Sequence, residues 1–293
     1  MIAFGRKYEL AINFQSGESW TIDQSQFRIK IHLKQALKKE ANQNHITILN
    51  LSADKRQTLH RAFQATVTLS AGYQDSLGVI FKGQIRRAYS AQDSDGVTWQ
   101  SILECSDGES RMQKSRVKVS YSPSTPWSQI VKDVAKQIGF DGDLNGMVDQ
   151  LIAEANANAK FKGDYQLPRG YSFSGSGVDC LNALLAAKGA TFSVINGKFF
   201  FYGPTTLQSG PGLYLTEDSG IVGSPDVGTV DTATGTPTLK VKTLLNPNAI
   251  VGASLQIDRP DFEHQIWRIE VLEFVGDSMF GDWHNTYHCK KIQ

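Results

Sequence analysis

Phe27-Arg-Ile-Lys-Ile-His-Leu33 places an apolar residue at every second position. A period of two sets Phe27, Ile29, Ile31 and Leu33 on one face of a half-buried sheet. The pattern repeats on either side. The stretch 45–51 is β-branched and apolar, and Phe63-Gln-Ala-Thr-Val-Thr-Leu69, 77–85 and 97–105 are further strand-like runs. Gly72, Gly78 and Asp107-Gly108 punctuate them as turns. One short helix is expected over 52–59, with Ser52 as its N-cap. Successive strands on short connections predict an antiparallel barrel or sandwich for the first hundred residues.

The middle of the chain changes period. Pro123 and Pro126 break the strand pattern, and Ser124 or Thr125 is the expected cap of a helix. Trp127, Ile130, Val131, Val134 and Ile138 then recur at helical spacing until Gly139. Helices are also expected over 148–159 and 178–188, the latter with Leu181, Leu184 and Leu185 as its apolar stripe. Asn196-Gly197 lies between two apolar runs, 191–195 and 198–202, which predicts a tight hairpin because both turn positions need positive φ. The segment 203–237 is rich in Gly, Ser, Thr and Pro and reads as a long loop that a neighbour or partner orders. Strands return over 238–245, 254–258, 265–275 and 284–292. The chain thus shows a coarse echo of strands, an α+β interlude, then strands.

Composition narrows the function classes. The 293 residues are 40% hydrophobic and 20% charged, with 30 basic and 29 acidic groups and a net charge of +1. A chain without basic excess does not fit sequence-independent nucleic-acid binding, which draws its affinity from phosphate neutralisation. Lys34, Lys38 and Lys39 read as a solvated face. The three cysteines, Cys105, Cys180 and Cys289, are odd in number and widely separated, so they read as buried apolar residues in a reducing compartment. No apolar run reaches the roughly 20 residues of a membrane helix. The alternating N-terminus does not form a signal peptide, so synthesis in a cytoplasm is expected.

No catalytic constellation stands out. His284 and His288 are four apart; on a strand that is ~13 Å, too far to share a metal. Cys289 adjoins His288 but points to the other face. Cys105 and Cys180 lie in core patterns. The acid pairs Asp93/Asp95, Asp141/Asp143 and Glu217/Asp218 read as solvated turn formers. Gly170-Tyr-Ser-Phe-Ser-Gly-Ser-Gly177 lacks a following Lys-Ser/Thr and reads as a turn. Trp20, Trp99, Trp127, Trp267 and Trp283 read as core or interface anchors. No catalytic, cofactor-binding or metal-ligating residue is assigned.

Taken in order, several short strings carry a family resemblance. They are His45-Ile-Thr-Ile-Leu-Asn-Leu-Ser-Ala-Asp-Lys-Arg56, Val67-Thr-Leu-Ser-Ala-Gly-Tyr73, Leu77-Gly-Val-Ile-Phe-Lys-Gly-Gln-Ile85 and Trp99–Asp107, then Ser219-Gly-Ile-Val-Gly-Ser-Pro225, Leu245-Asn-Pro-Asn-Ala-Ile-Val-Gly252, Val275-Gly-Asp277 and Asp282-Trp283. Together they resemble the baseplate hub proteins of contractile phage tails, the T4-like hubs, across nearly the whole chain. The resemblance implies a mainly β fold with two tail-tube-like antiparallel β-barrel domains, 1–110 and 206–293, flanking a middle α+β domain, 111–205. It implies a non-enzymatic virion component of the tail baseplate, assembled in the host bacterial cytoplasm as a homotrimeric ring with six pseudo-equivalent domains. Its implied partners are the tail tube or a tube-initiator protein, the central spike, and baseplate wedge and tape-measure proteins. A DNA channel would run through it, without specific nucleic-acid binding. No lysozyme-like segment is recognised in the sequence. Competing readings are a hexameric tail-tube or distal-tail protein, a tail-associated cell-wall hydrolase, and a carbohydrate-binding module.

Overall fold

The computed structural model describes residues 5–37, 44–107, 115–140, 143–157, 166–208, 212–231 and 236–292. Two compact units emerge. One comprises Met1–Ala36, Asn42–Asp107 and Gln208–Gln293; the other comprises Leu37–Ala41 and Gly108–Leu207.

The first unit is built from β1 (Arg6–Asn13), β2 (Ser19–Asp23), β3 (Ile29–Ala36), β4 (Asn44–Leu49), helix α1 (Ala53–His60), β5 (Thr66–Tyr73), β6 (Ser76–Gln92) and β7 (Trp99–Ser106). It continues, after the middle of the chain, with β12 (Leu213–Leu215), β13 (Asp226–Asp231), β14 (Thr236–Leu244), β15 (Ser254–Ile257), β16 (Trp267–Asp277) and β17 (Trp283–Lys291). All of these strands join one sheet of 13 strands in the order β13-β14-β17-β16-β3-β4-β7-β6-β5-β1-β2, with β15 on β16 and β12 on β15. The pairs are antiparallel except β12 with β15. The mainly β, antiparallel expectation therefore holds. The expectation of two separate closed barrels needs correction. β16 is hydrogen-bonded to β3 over seven residue pairs, so strands from both ends of the chain share one open sheet. No barrel closure is present among the described residues.

Alternation explains the core. Ile29, Ile31 and Leu33 on β3, Ile46 and Ile48 on β4, and Leu272 and Phe274 on β16 are all buried. Ser52 caps α1 as expected, accepting from the Lys55 amide at 3.4 Å.

The second unit holds β8 (Arg116–Tyr121), α2 (Trp127–Ile138), α3 (Leu144–Ala157), β9 (Tyr171–Ser176), α4 (Gly177–Ala186), and the hairpin β10 (Thr191–Ile195) and β11 (Lys198–Tyr202). Its own apolar core gathers Trp127, Ile130, Val134, Leu181, Leu185 and Phe201, and the buried Trp127 indole donates to the Leu184 carbonyl at 2.8 Å. Asn196 and Gly197 take φ of 53° and 76°, as the hairpin reading requires.

Three expectations are corrected. The stretch 170–177 is strand β9, paired with β8, and runs into α4 with Ser176 as N-cap; it is not a turn. The N-cap of α2 is Pro126 itself, with no side-chain cap from Ser124 or Thr125. The loop 203–237 contains β12 and β13.

Candidate assembly surface

The first unit is internally duplicated. The order β3-β4-β7-β6-β5 recurs as β13-β14-β17-β16-β15, every neighbouring pair antiparallel in both halves. The match extends to details. A register shift between β6 and β7 falls at Ile85/Arg87, and the corresponding shift between β16 and β17 falls at Ile269/Val271. Bulges re-aim a strand, and here each falls where pairing with the preceding strand ends along one edge, β5 on β6 and β15 on β16. The Gln64 amide donates to the Ile85 carbonyl and the Ile85 amide to Ala65; likewise Gly252 donates to Ile269 and Ile269 to Ala253, all within 2.8–3.1 Å. Gln64 and Gly252 both have positive φ, 64° and 85°. Past the last strand pairs, Asn50 donates to the Trp99 carbonyl and Leu245 to that of Trp283. At the hairpin tips, Asp93 donates to Thr98 and Asp277 to Asp282. The halves differ at α1, whose place is taken by the turn 246–252, and in β12, which is parallel to β15 where β1 is antiparallel to β5.

The seam inside the chain shows how one half meets the other. Beyond its bulge, β16 pairs with β3 from Val271↔Ala36 to Asp277↔Lys30. On the apolar side Phe274 lies opposite Leu33, both buried. On the polar side Glu273 lies opposite Lys34, with an ion pair at 3.4 Å. The end is clamped. Arg28 donates to both Asp277 oxygens at 2.6–3.1 Å, and Arg6 donates to the Asp277 and Gly281 carbonyls. The Trp283 indole donates to the Gly72 carbonyl at 3.0 Å. Burial works against the Asp277 carboxylate, but Arg28 and the Met279 and Phe280 amides outweigh it and hold its pKa below the ordinary value.

Away from the core, one continuous face runs across β14, β17, β16, β3, β4, β7 and β6. It carries Lys240 and Lys242, His284 and His288, Glu273, Lys30, His32 and Lys34, His45, Glu104 and Arg87, in register from strand to strand. Opposite charges adjoin on it: Arg87 and Glu104 at 3.9 Å, His288 and Glu273 at 4.0 Å. Burial lowers the pKa of His284, with Lys242 adding to it and Asp282 opposing. Burial also lowers that of His288, against the pull of Glu273.

The residues weighed for chemistry are scattered. His284 and His288 lie on β17 facing different partners, and no group of three metal-ligating side chains occurs among the described residues. Cys105, Cys180 and Cys289 are all buried. Burial pushes the Cys105 thiol up to about 12 and raises those of Cys180 and Cys289, which is the environment of inert core thiols. Asp93 and Asp95 sit in a hairpin tip, both held low, Asp93 first by the Ser94 amide and Asp95 first by the Thr98 hydroxyl. Asp143 accepts from the Gly146 amide at the start of α3, while Asp141 lies outside the described residues. Glu217 and Asp218 form a single 3-10 turn. Of the tryptophans, Trp127, Trp267 and Trp283 are buried. Lys38 and Lys39 lie outside the described residues, and Lys34 belongs to the seam. The seam itself was missed by sequence reasoning; the acidic run on β16 and the basic run on β3 were its available signal.

No family model and no curated protein matches the sequence. Solved structures do match the fold. The 43 kDa tail protein of prophage MuSo2 from Shewanella oneidensis aligns over 99% of this chain and 97% of its own, at 9% identity and a TM-score of 0.61. A tail protein from Neisseria meningitidis MC58 aligns over 98% and 96%, at 10% identity and 0.58. The E. coli c3393 protein, described as a type VI secretion component with structural similarity to the T4 tail proteins gp27 and gp5, aligns over 91% and 74%, at 11% identity and 0.56.

Proposed function

We propose that the chain is a structural hub of a contractile phage-tail baseplate, acting as a homotrimeric ring between a sixfold tail tube and a threefold spike. It has the fold of phage-tail and type VI secretion proteins. The observation that carries the reading is the internal duplication. Two modules of one topology, 1–110 and 206–293, stand edge to edge in one chain, so three chains present six equivalent edges while keeping threefold symmetry elsewhere. A heterologous ring of this kind pairs strand edges that a single copy leaves open between its two halves.

The polar face across the seam is then the wall of the channel. Its lysines and histidines are interleaved with Glu104 and Glu273, which neutralise part of the basic charge by which DNA would be held. Tail tube or tube-initiator protein occupies one rim and the spike the other, with wedge and tape-measure proteins as further partners. The role in the virion is mechanical, and no residue is assigned to catalysis.

Sedimentation or mass photometry of the purified full chain tests this. A trimer of the 32.3 kDa chain is expected. A hexamer would favour a tail-tube or distal-tail ring, and a monomer at every concentration would overturn the hub. Peptidoglycan release that Glu217→Gln abolishes would favour the hydrolase.

A further inference from the structure

The intrachain seam has a counterpart with its partner missing. After its bulge β16 is covered by β3, but the equivalent length of β6, from Arg87 to Gln92, has no strand on that edge among the described residues. The equivalent of β3 is β13, and its outer edge is likewise open among the described residues. Burial follows suit. Leu33 on β3 is 0% exposed beneath the seam, whereas Val227, at the matching place on β13, is 55% exposed.

We infer that β6 of one copy pairs antiparallel with β13 of the next, in the register of the internal seam. This rests on the trimeric-ring reading above and specifies its joints. Superposing the two halves strand by strand converts Glu273↔Lys34 into Tyr89↔Gly228, Phe274↔Leu33 into Ser90↔Val227, and Val275↔His32 into Ala91↔Asp226; beyond Gly228 the register of β13 shifts. The pairing buries Val227 as Leu33 is buried, and it satisfies the edge amides and carbonyls of both strands.

Charge supports the match and excludes the wrong ones. At and just beyond its bulge β6 carries Arg86 and Arg87 and no acid; the sequence of β13 carries Asp226 and Asp231 and no base. At the internal seam the polarity is reversed, since β16 brings Glu270, Glu273 and Asp277 and β3 brings Lys30 and Lys34. A joint of β6 with β3 would set base against base, and one of β16 with β13 acid against acid. Like charges on neighbouring positions of a ladder are unfavourable, which disfavours an exchange of partners between the two seams. First and second modules must alternate around the ring.

Directly opposed strand residues have Cα atoms about 4.5–5.5 Å apart, within reach of a disulfide. The full-length Ser90→Cys/Val227→Cys double variant, mildly oxidised, should therefore run as a covalent trimer on a non-reducing gel and return to monomer on reduction. The Ser90→Cys/Gly228→Cys control places its second thiol one residue out of register and should not cross-link. The native cysteines are buried and do not compete. A second measurement uses charge: Arg86→Glu/Arg87→Glu should shift trimer dissociation to at least about tenfold higher concentration, and adding Asp226→Lys/Asp231→Lys should restore it. A trimer by mass that neither cross-links nor shows charge rescue would overturn this joint while leaving the trimeric reading intact. Absence of any trimer in the unmodified chain would overturn both.

Discussion

Gln64 and Gly252 occupy one backbone position in the two halves, each left-handed and each donating to the isoleucine at a bulge. A non-glycine residue there costs about 1–2 kcal/mol. Gly252→Ala should therefore lower stability by about that amount, whereas Gln64→Gly should leave it unchanged or raise it. Urea midpoints at constant m-value measure both. His284 and His288 define a pH effect. Burial lowers both pKa values in the folded state below the ordinary imidazole value of about 6.5. Above about pH 6.5 both states are neutral and the term is fully favourable; as pH falls below it the unfolded chain takes up protons first and stability declines. The His284→Asn/His288→Asn variant should flatten the stability profile between about pH 6.5 and 5. Legibility at this scale was uneven. Ser52 as a cap and Asn196-Gly197 as a turn were readable because each residue type answers a local need. Gln64 was not, since nothing in its side chain announces positive φ; the bulge opposite it does.

Strands that contribute a full apolar face were legible as elements. β3, β4, β5 and β7 alternate cleanly, and α2 keeps its 3.6-residue period to Gly139. β9, Tyr-Ser-Phe-Ser-Gly-Ser, was read as a turn because Ser and Gly dominate it, and β13, Asp-Val-Gly-Thr-Val-Asp, as loop because the stretch 203–237 around it is rich in Gly, Ser, Thr and Pro. The strand character of β9 comes from its partner β8, which lies far off in sequence, and that of β13 from β14, the next strand along the chain. The β10–β11 hairpin is the converse case, where the turn itself specifies the element. Gly197→Ala should cost about 1 kcal/mol, since the second turn position needs positive φ. The loss should be confined to the second unit, and amide exchange over 191–202 would report it.

The echo of strands at the two ends of the whole molecule was visible in sequence, and the duplication accounts for it. The union of the ends was not visible, because β16 and β3 meet across most of the chain length and no local pattern encodes such a pairing. The two compact units have separate cores, one in the long sheet and one around Trp127. Calorimetry should accordingly resolve two transitions. Trp127→Ala should move the transition of the second unit by several degrees and leave the other in place, given the roughly 3–5 kcal/mol that such core truncations cost.

The joint between β16 and β3 also bears on kinetics. Two edges tethered by one polypeptide meet at an effective concentration set by the tether, so this contact closes during folding and not by collision. In the proposed torus, half of the junctions would then be complete before any two molecules meet. Such a ring would form with a lower reaction order than one of six free subunits, and at low copy number it would have far fewer dead-end partial rings in which to stall.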